Sequence, residues 1–142
     1  MKKLLLPLLL MIPLFIGCGG KDKVKPSADS LLTTEALNAV EALRTSYEDK
    51  KSPELQNRTD AGPVENYFDF DFETAKLSFT PRMVRITSES VIVNLSWQGA
   101  WRTSKGKDLE NRGVADLVLQ RESMKLMRIE GDNPFIKVGS EK

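Results

Sequence analysis

Tyr67, Asp69 and Asp71 cluster in one short stretch and form the nearest set in the chain able to do acid–base work. A carboxylate with a pKa raised by burial abstracts a proton, and a phenol beside it stabilises the resulting oxyanion. The same acids alternate with Phe68, Phe70 and Phe72, and alternation of that kind more often marks the solvated side of an amphipathic segment. The solvated reading is preferred for Asp69 and Asp71. Trp97 and Trp101 stand four apart, so on a strand they share a face. There they either line a concave ligand site with apolar rings and indole donors or pack as core or interface, the second being preferred. Arg112 and Asp116 also share a face, as inward polar groups or, by preference, as an exposed pair. Much other chemistry is excluded. With no histidine and one cysteine, Cys18, the chain has no Cys/His zinc site and no intrachain disulfide. It also lacks a phosphate-cradling glycine loop, a GxSxG elbow and an EF-hand. No catalytic residue, metal or cofactor is assigned.

Cys18 needs a segment that delivers it. Lys2 and Lys3 precede an apolar run over residues 4–16, and Gly17 sits directly before the cysteine, the order of a cleavable signal. The run is about thirteen residues, broken by Pro7 and Pro13, and falls short of the roughly 20 that span a bilayer. Phe15-Ile16-Gly17-Cys18 resembles the lipobox of bacterial lipoproteins, with Phe15 in place of the usual Leu. That resemblance implies a thioether-linked diacylglyceryl group on Cys18, removal of residues 1–17 and further acylation of the new amine. Two or more acyl chains then anchor stably, at about 0.8 kcal/mol per buried methylene. The alternative is an ordinary secretory signal with an incidental cysteine. Gly19, where retained lipoproteins carry Asp, resembles lipoproteins not held at the inner membrane. The implied location is the cell envelope, facing the periplasm or exterior.

The remainder is nearly neutral. Without residues 1–17, 19 basic residues face 20 acidic ones, and no basic face suggests nucleic acid. Residues 18–30 read as the lipidated N-terminus and a polar spacer, GGKDKVKPSADS after the cysteine, which reaches roughly 40 Å when extended at about 3.3–3.6 Å per residue. Residues 31–136 are of single-domain length, and residues 137–142 form a tail.

Leu32, Ala36, Ala39, Val40, Leu43 and Tyr47 recur at intervals of three and four, predicting a helix capped by Thr33 or Thr34, with Lys50 and Lys51 complementing the dipole at its end. A short helical turn is expected at residues 53–59. Residues 64–73 fit both a helix and a strand, and Pro63 tilts the choice to helix. From Lys76 the period is two. Leu77 and Phe79 share one parity and Val84 and Ile86 the other, predicting a bulge near Arg82-Met83. The clearest strand is Ser90–Arg102, with Val91, Val93, Leu95, Trp97, Gly99 and Trp101 on one face. A polar loop is expected over residues 103–111, then strands over 112–121 and 125–130, antiparallel because their connections are short.

This order predicts an α+β fold, an N-terminal helix or helices packed on a curved antiparallel sheet. The chain resembles the nuclear transport factor 2-like superfamily, also called SnoaL-like or ketosteroid isomerase-like, over residues 31–135. The likeness rests on ALRTSYEDK in the first helix, WQGAW, RGVA and LVLQR in the strands, and the closing IEGDNPF. It implies a cone with an inner cavity, for which Trp97, Trp101, Tyr67 and Phe72 are the candidate lining. Enzymes of that superfamily commonly pair an Asp base with Tyr or His, and this chain has no histidine. The reading is therefore a membrane-tethered module that binds a small apolar ligand or a protein partner, most simply without catalysis. The alternatives are a small carboxylate/tyrosine isomerase or dehydratase, and a structural lipoprotein that forms a homodimer.

Overall fold

The computed structural model describes residues 27–60 and 62–136. Cys18, the signal segment, the first part of the spacer and the tail lie outside them.

Helix α1, Ala28–Glu48, buries Ala36, Val40, Leu43 and Tyr47, the expected stripe. Its cap is Ser27, whose side chain accepts from Ser30 N at 3.1 Å, with Asp29 in the first turn. Thr33 and Thr34 lie one turn inside and return their hydroxyls to the carbonyls of Asp29 and Ser30. The cap falls earlier than the apolar period suggests because a helix can start on polar residues wherever a hydroxyl satisfies its free amides. At the other end Lys50 takes a left-handed backbone, φ 55°. Its ammonium donates to Phe72 O and sits 4.7 Å from the Phe72 ring centroid, so it is held by that loop instead of by the helix end.

Helix α2, Ser52–Asn57, starts with proline in its first turn and buries Leu55. The helix expected over residues 64–73 does not form; a single 3-10 turn, Val64–Asn66, is followed by irregular chain. The aromatics explain the difference. Phe68, Phe70 and Phe72 all lie with their ring centroids 5.1–6.1 Å from that of Tyr47, which a helix would prevent by spreading alternate residues around its axis. Tertiary partners take the backbone groups: Tyr47 OH donates to Asp69 O at 2.9 Å, Asp69 N donates to Phe135 O at 2.9 Å, and Asn133 donates to Tyr67 O at 3.0 Å.

Four antiparallel strands follow in the order β1 (Thr74–Ile86), β2 (Ser90–Arg102), β3 (Asp108–Gln120), β4 (Leu126–Gly131). The β1–β2 register shifts between Pro81 and Met83, leaving Arg82 as the extra residue. That bulge places Val84 and Ile86 opposite Val93 and Val91, on the face shared by Leu77 and Phe79. β3 begins at Asp108, so the expected loop over residues 103–111 shrinks to a tight turn closed by Thr103 N to Lys107 O and by Gly106 at φ 78°. Its first half is polar because Asp108, Glu110 and Arg112 point outward, which hides the strand period in the sequence.

Both sheet edges are occupied in part. On β1, Leu77 N donates to Glu48 at 2.6 Å and Leu77 O accepts from Arg44 at 3.4 Å, while Pro81, of the same parity, has no amide to offer. On β4, Asp60 N donates to Leu126 O at 2.9 Å and Leu126 N to Arg58 O at 2.7 Å, a short parallel bridge. The core lies between α1 and the inner sheet face, where Val91, Val93, Leu95, Trp97 and Trp101 are all buried.

Candidate functional site

The two faces of the sheet offer two places for a site. On the inner face, Trp97 and Trp101 meet edge to face, centroids 6.4 Å apart at 83°. Both indole donors are already engaged, Trp97 Nε1 with Asp132 O at 2.8 Å and Trp101 Nε1 with Tyr47 OH at 3.0 Å. Tyr47 in turn donates to Asp69 O, which completes a buried chain of hydrogen bonds from β2 through α1 to the loop. Burial holds the Tyr47 phenol well above its ordinary pKa; the Trp101 donor works against that shift and the Asp69 charge adds to it. The Trp101 ring lies against Gly99, where a Cβ would come within 2.3 Å of the indole and 2.7 Å of the Leu77 side chain. Glycine is required there.

Phe72 is buried in the same cluster, together with Phe68 and Phe135. Tyr67 is half-buried at its margin, and its carbonyl, not its phenol, has the interior partner. Asp69 is half-buried and Asp71 exposed; an Asp69 carboxylate oxygen accepts from Asp71 N at 2.9 Å. The phenol that reaches this loop is thus Tyr47's, and it meets a carbonyl. Trp97, Trp101 and Phe72 are all buried in the one core cluster, and Tyr67 packs against it from the margin. Among the described residues no group of three carboxylates or thiols is placed to hold a metal, and no helix is long and apolar enough to cross a membrane.

The outer face is open. A depression of about 950 Å³ runs from Glu41 and Arg44 of α1 across residues 76–79 of β1, 98–100 of β2 and 110–112 of β3, where the outward side chains are Lys76, Ser78, Gln98, Ala100, Glu110 and Arg112. A second, of about 470 Å³, adjoins it and shares Ser78, Gln98 and Arg112. These three are cross-strand neighbours in one row, and the next row is Lys76, Ala100, Glu110. Ala100 is small and leaves a hollow between the two charged side chains. Arg44 is taken up by Glu41 and Glu48 and by the Leu77 carbonyl, and its hydrogen bonds hold the Glu41 carboxyl below the usual range. Arg112 and Asp116, expected as a pair, are not partners: Asp116 accepts from Asn94 at 2.6 Å and pairs with Arg85 at 3.6 Å. Two rows of sheet separate it from Arg112 along β3.

Sequence reasoning named Arg112 but missed Ser78, Gln98, Lys76 and Glu110. The alternation of Lys76, Ser78 and Gln98 was visible, but Glu110 lay in an expected loop, and the register that joins the four with Arg112 into rows was not visible.

The geometry defines an α+β protein whose helices precede a curved four-stranded antiparallel sheet, the nuclear transport factor 2-like fold. The chain is similar in structure to a nuclear transport factor 2 (NTF2-like) superfamily protein from Salmonella enterica subsp. enterica serovar Typhimurium str. LT2, with TM-score 0.66 and 11% identity, covering 81% of this chain and 99% of that one. No family model matches the sequence, and no curated protein matches it. At this identity the likeness carries the fold and not an activity.

Proposed function

We propose that this chain is a bacterial envelope lipoprotein, anchored through Cys18, whose nuclear transport factor 2-like domain is a binding or interaction module and not an enzyme. One observation carries the choice of binding over catalysis: the inner face is closed by Trp97, Trp101, Tyr47, Phe68, Phe72 and Phe135, with both indole donors already bonded within the protein. Contact with other molecules then falls to the outer face, where the open depressions lie. The lipid anchor rests on the lipobox-like Phe15-Ile16-Gly17-Cys18.

Labelled palmitate fed to cells should enter the wild-type chain and be lost in Cys18→Ala; equal labelling in the mutant refutes the anchor. Turnover of a steroid-like or polyketide-like substrate that depends on Asp69 or Asp71 would overturn the noncatalytic reading. A second reading, a homodimer through the outer face, draws support from Met83 and Val114, 53% and 40% exposed on that face. Light scattering decides it, since a chain that stays monomeric at high concentration is not a structural dimer.

A further inference from the structure

We infer that residues 131–135 form an autoinhibitory strap, which fills the inner face with its own Phe135 and gives way to a small aromatic ligand bearing a carbonyl. This goes beyond the outer-face reading, which describes the chain with the strap in place. β4 has 6 residues where each of the other strands has 13, and it ends at Gly131 in a left-handed backbone of φ 86°. Only glycine fits that hinge, because a Cβ there would come within 2.7 Å of Val114 O. Beyond it the chain turns inward and buries Phe135 completely. The ring centroid lies 4.6 Å from that of Phe68, 5.2 Å from Tyr47 and 5.9 Å from Phe79.

The strap is tied on by groups outside the regular elements. Asp132 N donates to Val114 O at 2.9 Å, and the Asp132 carboxylate accepts from Val114 N at 3.2 Å. Trp97 Nε1 donates to Asp132 O at 2.8 Å, the Asn133 amide to Tyr67 O at 3.0 Å, and Asp69 N to Phe135 O at 2.9 Å. None of these bonds belongs to a helix or to a strand ladder, and two of them end on the irregular chain at Tyr67 and Asp69. Segments held in this way open at lower free energy than the strands they cover, as ligand-gating lids do. Opening about Gly131 empties a slot walled by Phe68, Tyr47 and Phe79 and takes the acceptors from Trp97 Nε1 and Asp69 N. A donor left without its acceptor is costly, so the open state selects an occupant that replaces the carbonyl as well as the ring. The strap supplies the template, since the Phe135 ring connects through Cβ and Cα to the carbonyl that Asp69 N meets. The complement is a single aromatic ring with a carbonyl at that spacing.

Calorimetric titration of the full chain in detergent, against detergent-only blanks, tests this with two probes. Benzylacetone reproduces the ring-to-carbonyl spacing of Phe135, and butylbenzene lacks the carbonyl. The ketone should bind about tenfold more tightly than the hydrocarbon. Asn133→Ala removes the donor to Tyr67 O and the acceptor of Phe135 N, which loosens the strap. It should therefore tighten ketone binding about tenfold, the reverse of what loss of a merely structural residue would do. Asn94→Ala, which loses a hydrogen bond to Asp116 on the outer face, should leave the affinity unchanged, with circular dichroism melts confirming that both variants fold. In the wild-type chain, hydrogen exchange read by mass spectrometry should speed up over residues 131–136 when the ketone binds and stay constant over 91–95. No ketone binding, equal binding of butylbenzene, affinity not raised by Asn133→Ala, or exchange over 131–136 that does not rise each overturns the strap. Each of those outcomes leaves the outer-face reading standing.

Discussion

β2 presents two unlike surfaces from one run of residues. Its inward residues, Val91 to Trp101, are closed over by α1 and the aromatic loop, while the outward Ser96, Gln98 and Ala100 are small or polar and border open depressions. The inner face gains stability from removing large apolar side chains from water; the outer face gains little. On the proposed binding reading, the closed inner face leaves contact with other molecules to the other side of the sheet.

Substitutions on the two faces test this contrast. The largest effect is expected from Trp101→Ala, which removes a fully buried indole and should cost about 3–5 kcal/mol in urea unfolding. If the loss stays under about 1 kcal/mol, the inner face is not packed as described. Gly99→Ala should follow, at about 1–3 kcal/mol, since the new Cβ collides with the Trp101 ring. An unchanged midpoint would mean that the indole does not lie over residue 99.

Tyr47→Phe should cost about 1–3 kcal/mol by leaving the buried Trp101 donor without an acceptor. It also has a pH signature. The folded-state phenol titrates above its unfolded value, so the unfolded chain ionises first as pH rises past about 10 and stability falls from there upward. Thermal melts from pH 8 to 11 should show that alkaline decline, and the part due to Tyr47 should vanish in the Phe variant. The smallest change belongs to the outer face: Arg112→Gln should shift stability by no more than about 0.5 kcal/mol. A larger loss would make Arg112 part of the scaffold and erase the distinction between the faces.

The periodic elements were legible in the sequence because burial on one side leaves a pattern. The α1 stripe, the alternation of β2 and the parity switch at Arg82 each follow from that rule. Residues 64–73 were not legible as irregular chain, since their shape depends on Tyr47, some twenty residues earlier, and on Phe135, far later. The start of β3 was hidden because Asp108, Glu110 and Arg112 face outward, where strand and loop compositions look alike. For the candidate site, Trp97 and Trp101 were found by their spacing, but whether they lined a cavity or filled it depended on a phenol from another element. The row of Ser78, Gln98 and Arg112 exists only once three strands are in register.

The sheet's margins bear on how copies of the chain behave when crowded. A four-stranded sheet with bare edges would invite strand-to-strand addition, above all where copies are concentrated in two dimensions on a membrane, as the proposed anchor would concentrate them. Here Glu48 and Arg44 cap one position of β1, Pro81 withholds a donor from another, and residues 58–60 lie along β4. Strand addition is thereby obstructed at these positions on both edges of the sheet, a form of protection that a tethered chain would need more than a dilute one.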